Sequence, residues 1–398
     1  MNRILKISGI FVISTLYVSQ ATAITVSDKA NKLAQENIII DSHIDVPYRL
    51  EEKWVDVTKA TTDGDFDYPR AKQGGLNAPF MSIYIPASLD SSANSTKLAD
   101  KLIDYVEAIV GRAPDKFAIA SSTADVEQQF AKGLISLPLG MENGSPIQGD
   151  LGNLKHFYER GIRYITLAHS MANHISDSSY DLRRKWQGLS PFGKELVKEM
   201  NNLGILVDIS HVSDAAFYQA IEISQTPVIA SHSSLRAFTP GFERNMDDAM
   251  IKALGKNGGV IQINFGSTFV TKRANAWSKK RSAEQKVMEE KFGKDSDEYK
   301  SFRTKFGEKN PLPYATLESV LDHIDHVVKL IGIDHVGIGS DYDGVGDSLP
   351  TDLKDVSTYP NLIQGLLNRG YSDKNIIKIL NGNFMRVWKA NEEYAAKN

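Results

Sequence analysis

The stretch that decides the fold is Ile38-Ile39-Ile40-Asp41-Ser42-His43-Ile44-Asp45, an apolar run that ends in side chains able to bind a metal ion. The same arrangement recurs along the chain, where a short apolar run is followed by His, Glu or Asp. Continuous apolar runs of this length are typical of strands buried on both faces of a parallel sheet. The residues that end or follow these runs are His43, Asp45, Glu142, His169, His211, His232 and Asp341.

Eight apolar runs in all predict eight strands, and segments with helical spacing of apolar residues lie between most of them. The predicted strands are 37–40, 80–85, 134–139, 164–167, 206–209, 228–230, 260–265 and 336–338. Alternating strands and helices indicate a parallel α/β sheet, and eight units predict a closed (β/α)8 TIM-type barrel. An open doubly wound sheet is the alternative, but the glycine-rich phosphate loop that normally follows its first strand is missing from this sequence.

Residues 1–23 resemble a signal peptide, with a positively charged start, an apolar stretch over 7–18 and the cleavage sequence Ala21-Thr22-Ala23. We expect cleavage after Ala23, export to the periplasm or the exterior, and one barrel domain over 24–398. An uncleaved anchor is the alternative. The sequence contains no cysteine, which excludes disulfides, thiolate ligands and a lipid-modified cysteine. We therefore expect no stable membrane anchor.

The charged residues are distributed as in an ordinary globular protein, with a formal net charge of -3. Long basic blocks are absent, so we expect no nucleic-acid partner. Lys and Arg are concentrated in 272–309, where they alternate with Glu and Asp as on a solvated helix surface. The segment 266–313 is too long for a simple loop. It predicts a charged helical insertion on the face of the barrel that carries the site.

The candidate ligands are imidazoles and carboxylates, which suit Zn²⁺ and also Mn²⁺, Fe²⁺ or Co²⁺. Side chains at the C-terminal ends of barrel strands converge on one small volume, and this many ligands suits two metal ions. Zinc is favoured because two cations that activate water and polarise a carbonyl indicate hydrolysis. Glu142 has two oxygens and is the natural bridge, and Asp341 can carry a proton from the water to the leaving group. These residues alone do not separate His169 from the ligands.

Six motifs together resemble the membrane dipeptidase (renal dipeptidase) family of zinc peptidases. They are Asp41-Ser42-His43-Ile44-Asp45, Gly140-Met141-Glu142, Tyr164-Ile165-Thr166-Leu167-Ala168-His169, Asp208-Ile209-Ser210-His211, Ser231-His232-Ser233-Ser234 and Gly339-Ser340-Asp341-Tyr342-Asp343-Gly344. The resemblance covers most of the mature chain. It implies a (β/α)8 barrel with two zinc ions that hydrolyses dipeptides, including dipeptides with a C-terminal D-residue.

The resemblance also implies a division of the ligands. His43 and Asp45 would hold one zinc ion, and Glu142 would bridge it to the second. His211 and His232 would hold that second ion.

The substrate residues follow from the same resemblance. His169 would contact the substrate and stabilise the oxyanion instead of binding metal, and Asp341 would contact the substrate as the proton carrier. Arg244 matches the arginine that binds the terminal carboxylate of the substrate, with Arg236 as a competitor. Gly266 departs from the family, because mammalian members carry a tyrosine in the pocket there. Residues 176–180 also replace a segment that is usually rich in Asn and Trp.

Three functions are compatible with the sequence. The first is an exported dinuclear zinc dipeptidase that uses a hydroxide bridging the two metals. The second is an amidohydrolase acting on N-acyl D-amino acids, and lactone or β-lactam opening is a further hydrolytic alternative. The third is a non-catalytic zinc-binding protein. Such proteins tend to carry flexible His-rich tracts, and this sequence has none, so the third function is disfavoured. A homodimer is the candidate assembly, although the sequence does not give the oligomeric state.

Overall fold

A computed structural model of the protein describes residues 24–398, and the predicted signal peptide over 1–23 lies outside this range. The strands within the described range are β1 (Ile40–Ile44), β2 (Ala78–Tyr84), β3 (Phe117–Ile119), β4 (Ile135–Leu137), β5 (Leu139–Glu142), β6 (Ile162–Thr166), β7 (Leu206–Asp208), β8 (Ile229–Ser233), β9 (Val260–Ile263) and β10 (Val336–Ile338). Eight of them form one parallel sheet in the order β1-β2-β5-β6-β7-β8-β9-β10. β3 and β4 form a separate two-stranded parallel sheet.

The first and last strands of the large sheet meet at their C-terminal ends. Ile44 forms a parallel bridge with Tyr342, and the Asp45 amide donates to the Tyr342 carbonyl at 2.9 Å. The Asp341 amide donates to the His43 carbonyl at 3.1 Å. These contacts bring the sheet nearly to closure, so the predicted (β/α)8 barrel is confirmed.

Helices cover the outside of the barrel and mostly follow the predicted alternation. They are α1 (Asp28–Glu36), α2 (Val46–Glu52), α3 (Tyr68–Gly74), α4 (Asn94–Arg112), α5 (Thr123–Ala131), α6 (Leu151–Glu159), α7 (Pro191–Leu203), α8 (Asp214–Ile223), α9 (Asp248–Asn257), α10 (Ser267–Val270), α11 (Lys272–Phe292), α12 (Asp297–Lys309), α13 (Leu317–Ile331), α14 (Tyr359–Asn368), α15 (Asp373–Ile377) and α16 (Asn383–Ala395). Typical caps set their limits. The Ser190 side chain accepts from the Gly193 amide at the start of α7, and Gly204 ends that helix with φ +78°.

The two ends of the barrel differ in what they bury. At the N-terminal end, the first residues of several strands form an apolar cluster with the last helix, α16. Phe80 packs on Phe384 and Trp388, each at 5.1 Å between ring centroids, and Trp388 is fully buried. Helix α16 therefore closes this end with hydrophobic side chains, and the polar candidate residues lie at the other end.

The first strand begins later than the sequence predicts. The run 37–40 was expected to be the strand because it is apolar, but β1 spans Ile40–Ile44 and includes buried Asp41, Ser42 and His43. These polar residues can be buried because neighbouring strands satisfy them: Asp41 accepts from the Ser340 amide at 3.0 Å, and the Ser42 hydroxyl donates to the Ser231 carbonyl at 2.5 Å.

The predicted strand over 134–139 is two strands. Ile135–Leu137 pairs with β3 outside the barrel, and the barrel strand β5 begins only at Leu139. Pro138 separates them, since it has no amide hydrogen to donate to a ladder. Its carbonyl still accepts from the Met81 amide at 2.8 Å, and the chain passes there from the small sheet into the barrel.

The charged segment 266–313 contains the helices α10, α11 and α12. Trp277 of α11 packs on Phe306 of α12 at 5.5 Å, and its indole donates to the Asn310 carbonyl. The start of the insertion lies beside the site, because Phe269 contacts the guanidinium of Arg244. Among residues 24–398, no helix combines the length and apolar content needed to cross a bilayer.

Candidate active site

The five predicted metal ligands, the predicted proton carrier Asp341 and His169 lie together at the C-terminal end of the barrel. Within the described residues, three overlapping groups have potential ligand atoms within 4.8 Å of one another: His43, Glu142 and His232; Glu142, His169 and His211; and His43, Asp45 and Asp341. Glu142 belongs to the first two groups and His43 to the first and third. The strand ends therefore deliver these side chains to one connected cluster.

Glu142 lies at the centre of the cluster. Its Oε2 is 3.4 Å from His43 Nε2, whereas its Oε1 is 3.1 Å from His211 Nε2 and 3.2 Å from His232 Nε2. Although burial opposes a charge, the imidazoles of His43 and His169 hold the pKa of Glu142 well below its usual range. Glu142 is thus an anion that presents one oxygen to each side of the cluster.

His43 reaches the cluster through its Nε2 atom. Its Nδ1 is 2.7 Å from the Tyr164 hydroxyl, and its buried Nε2 has no hydrogen-bond partner in the described chain. The Tyr164 ring needs Gly140, because a Cβ added there would lie about 2 Å from the ring. A small residue in β5 thereby allows the tyrosine of β6 to support the histidine of β1.

Asp45 reaches His43 although the two residues do not share one extended strand, in which residues i and i+2 would point the same way. In the structure β1 ends at Ile44, and Asp45 is the N-cap of α2 with φ -91° and ψ 29°. Asp45 Oδ2 nevertheless lies 3.4 Å from His43 Nε2, so the two side chains meet as expected.

His211 and His232 approach each other closely, with 2.8 Å between their Nε2 atoms. Burial and the nearby Arg244 charge hold the pKa of His211 well below its usual range. Burial and His43 do the same for the pKa of His232. Neutral imidazoles with lone pairs this close repel each other unless a proton or a cation lies between them. A metal-binding centre explains this pair and the unpartnered Nε2 of His43.

Asp341 lies three residues beyond the end of β10, at φ +64°, and faces the same cluster. Its Oδ2 accepts from the Asn264 amide nitrogen at 2.7 Å. Burial, with the neighbouring Asp45 charge, raises the pKa of Asp341 well above its usual range. Gly344 leaves room for both carboxylates, since an added Cβ would lie 2.2 Å from Asp45 Oδ2 and 2.3 Å from Asp341 Oδ1.

The two candidate arginines differ in their partners. Arg236 is committed to Asp214 through two bonds of 2.8 and 2.6 Å. Arg244 is buried, donates to Ser233 Oγ at 2.8 Å and the His232 carbonyl at 2.7 Å, and has a buried Nε without a partner. Within the described range it forms no ion pair with a carboxylate of the chain. Arg244 therefore has a charge available for a ligand, and Arg236 does not.

Two tyrosines near the cluster escaped the sequence analysis. Tyr84, the last residue of β2, packs edge-on against His169 at 4.9 Å between ring centroids. Tyr180 lies 6.0 Å from the His211 ring, in a segment fixed by a bond from the Ser179 amide to the His211 carbonyl. Tyr84 is the second-to-last residue of the predicted strand 80–85 and could have been noted on that basis. Tyr180 comes from a long loop, and its sequence carries no comparable signal.

The position of the mammalian pocket tyrosine is closed in this protein. A Cβ added to Gly266 would lie 2.8 Å from Val345 and 2.9 Å from Phe269. A larger side chain at 266 would have to displace these neighbours. The Tyr180 ring, which lies 6.0 Å from the His211 ring, comes from a different loop.

The sequence of this chain matches known dipeptidases over nearly its whole length. The family described as membrane dipeptidase, peptidase family M19, matches residues 27–398. Dipeptidase verJ of Clonostachys rogersoniana is 33% identical over 384 residues, which are 93% of this chain and 88% of that protein.

Solved structures share the fold. The probable dipeptidase PvdM from Pseudomonas aeruginosa superposes with a TM-score of 0.79 at 26% identity, over 92% of this chain and 98% of that one. A Rhodobacter sphaeroides metallopeptidase, liganded with a phosphinate mimic of the dipeptide L-Ala-D-Ala, superposes with a TM-score of 0.73 at 23% identity, over 89% and 99%. The second likeness shows the fold alone. By the family match, the chain belongs to the membrane dipeptidase family, peptidase family M19, and is a metallo-dipeptidase of that family.

Proposed function

We propose that this metallo-dipeptidase works with two zinc ions around Glu142 and accepts dipeptides whose C-terminal residue has the D configuration. The single observation that carries the proposal is the placement of the Glu142 carboxylate. One oxygen faces His43 and the other faces His211 and His232, so one side chain is shared between two sets of nitrogen ligands.

The donor set fits such a pair of ions. Asp45 and His43 would hold one zinc ion, and Glu142 would contribute to both. His211 and His232 would hold the other. Imidazole and carboxylate ligands without thiolate are common in catalytic zinc sites. When bound, the two ions would lower the pKa of a water molecule and polarise the scissile carbonyl.

Asp341 is proposed to move the proton. Its carboxylate faces the cluster and is oriented by Asn264. Its raised pKa suits a group that accepts a proton from the attacking water and delivers it to the leaving amine. The C–N bond then breaks with a neutral amine as the leaving group.

His169 is proposed to stabilise the negative charge that develops on the carbonyl oxygen. Its ring lies between Tyr84 and His211, at 4.9 and 4.2 Å between centroids. Its Nε2 is 3.5 Å from Glu142 Oε1, so it stands at the edge of the metal cluster. A donor held there is preorganised for an oxyanion.

Arg244 is proposed to bind the C-terminal carboxylate of the substrate. Its guanidinium is buried beside His232 and has no acidic partner within 24–398, which leaves its charge for an anionic ligand. The bound dipeptide mimic of the Rhodobacter sphaeroides protein supports a dipeptide-sized anionic ligand and a D-residue at the C-terminal side. We also propose that the protein is exported, on the evidence of the signal-like sequence over 1–23.

A panel of dipeptides with L- or D-residues at the C-terminal position tests the proposal, using zinc-loaded and chelated protein. We expect hydrolysis of both stereochemical classes, loss with chelator and recovery with zinc. N-acyl D-amino acids serve as the competing substrates. Faster turnover of these than of any dipeptide would replace the proposal with the amidohydrolase alternative.

A further inference from the structure

Asp208 is a buried carboxylate for which the proposed mechanism has no use. It is the last residue of β7 and is fully buried. Its Oδ1 accepts from the backbone amides of Ser210 at 3.0 Å and Ser231 at 2.8 Å. Its Oδ2 accepts from the hydroxyls of Thr166 at 2.5 Å and Ser231 at 2.6 Å. Four donors thus converge on one carboxylate beside the cluster of candidate ligands.

The Ser231 hydroxyl also contacts His232, with 2.7 Å between Ser231 Oγ and His232 Nδ1. Asp208 Oδ2 accepts from the hydroxyls of Thr166 and Ser231, and a hydroxyl has only one hydrogen to donate. The Ser231 hydrogen therefore goes to Asp208, and Ser231 Oγ must accept from His232. This requires the hydrogen of neutral His232 to be on Nδ1, which leaves the lone pair on Nε2, the atom that faces Glu142.

We propose that Asp208, acting through Ser231, is a positioning residue that fixes the tautomer and ring orientation of His232 for metal binding. The proposal rests on the proposed dinuclear site. Ligand histidines commonly donate their second ring N–H to a carboxylate, and such partners contribute to metal affinity. Here a serine hydroxyl is inserted between the two, because Asp208 belongs to β7 and His232 to the neighbouring strand β8.

The other histidines of the cluster are held differently. The Nδ1 atoms of His211 and His169 are buried without a hydrogen-bond partner in the described chain. His43 Nδ1 has the Tyr164 hydroxyl, for which the described contacts include no carboxylate partner. The relay of hydrogen bonds from Asp208 through Ser231 to His232 therefore acts on one ligand only. Its loss should weaken the ion bound by His232 and spare the other.

Ser231→Ala tests the relay, and Thr166→Val is its matched control. Both variants remove one hydroxyl bond from Asp208 Oδ2, but only Ser231→Ala removes the bond to His232. Zinc dissociation constants for both sites would be measured by competition with a chromophoric chelator. We expect Ser231→Ala to weaken one site by about 10- to 100-fold, the usual effect of removing such a partner. Thr166→Val should leave both constants near those of the unchanged protein.

Equal weakening in the two variants would overturn the relay, because the effect would then come from Asp208 as a structural group. Unchanged affinity in Ser231→Ala would overturn it as well. Ser231→Thr retains the hydroxyl and should recover the tighter constant.

A second measurement determines the tautomer of His232. It uses metal-free protein and does not depend on whether the Ser231 variants fold. ¹⁵N spectra of histidine-labelled, metal-free protein report which ring nitrogen carries the hydrogen, and loss of signals in His232→Gln assigns them. We expect the hydrogen of His232 on Nδ1, and finding it on Nε2 would contradict the proposal. Failure of the proposed function would be seen in a different sample. The protein without any substitution would then bind fewer than two ions or hydrolyse no dipeptide.

Discussion

Both ends of this barrel are buried, but the side chains that they bury differ in kind. At the N-terminal end, Trp388 and Phe384 of α16 pack on Phe80, and the contacts are hydrophobic. At the C-terminal end, buried carboxylates and imidazoles face one another, and His43 Nε2 and Arg244 Nε have no hydrogen-bond partner in the described chain. Apolar burial stabilises a fold, whereas buried polar atoms without partners cost stability unless a ligand satisfies them. Stability and chemistry are therefore separated along the barrel axis.

The largest effect is expected at the N-terminal end. Trp388→Ala would remove a fully buried indole and should lower the free energy of unfolding by about 3–5 kcal/mol, as large-to-small core changes do. Turnover per folded molecule should stay close to that of the unchanged protein, because the site lies at the opposite end. Chemical denaturation of metal-free protein measures the loss. Lys389→Ala, an exposed change on the same helix, is the control and should shift stability by less than about 0.5 kcal/mol.

A change at the C-terminal end should instead lower turnover. Asp341→Asn keeps the size of the side chain but removes the proton carrier, so kcat should fall by at least about 10²-fold with bound metal retained. Steady-state kinetics and metal analysis of the same sample check both parts. Loss of one ion together with activity would make Asp341 a ligand of the His43–Asp45 side instead.

The smallest of these effects concerns substrate binding. Arg244→Ala should lower kcat/KM for dipeptides by at least roughly tenfold, which corresponds to about 1.4 kcal/mol of lost charge-assisted binding. Dipeptide amides lack the carboxylate and should be affected far less. Arg236→Ala is the control, because Arg236 is paired with Asp214 and should not distinguish acids from amides. An equal loss for acids and amides in Arg244→Ala would remove the carboxylate-binding assignment.

Much of the fold was predictable because its strands are buried on both faces. Runs such as 206–209 and 336–338 nearly coincide with β7 and β10. The prediction failed where tertiary contacts outweigh local composition. Residues 41–43 belong to β1 because neighbouring strands satisfy their polar groups. Pro138 divides one apolar run between two sheets, and this depends on which strands lie beside it.

The sequence indicated which side chains cluster at the candidate site, but not which residues hold them in place. Each of the seven clustered side chains lies near the C-terminal end of a strand or closely follows that end, and parallel strands bring such positions together. Asp208 ends β7 and Ser231 lies in the middle of β8, but only three-dimensional contacts show that Ser231 joins Asp208 to His232 Nδ1. Tyr180 and the closed position at Gly266 depend on loop paths, which the sequence does not specify.

If Glu142 is shared between two metal ions, the zinc content of the protein must reflect it. The unchanged protein, loaded with zinc and freed of excess, should contain close to two ions per chain by elemental analysis. Glu142→Gln removes the shared negative charge and should weaken both ions together. One ion per chain in fully active protein, or loss of only one ion in Glu142→Gln, would contradict a carboxylate that bridges two metals.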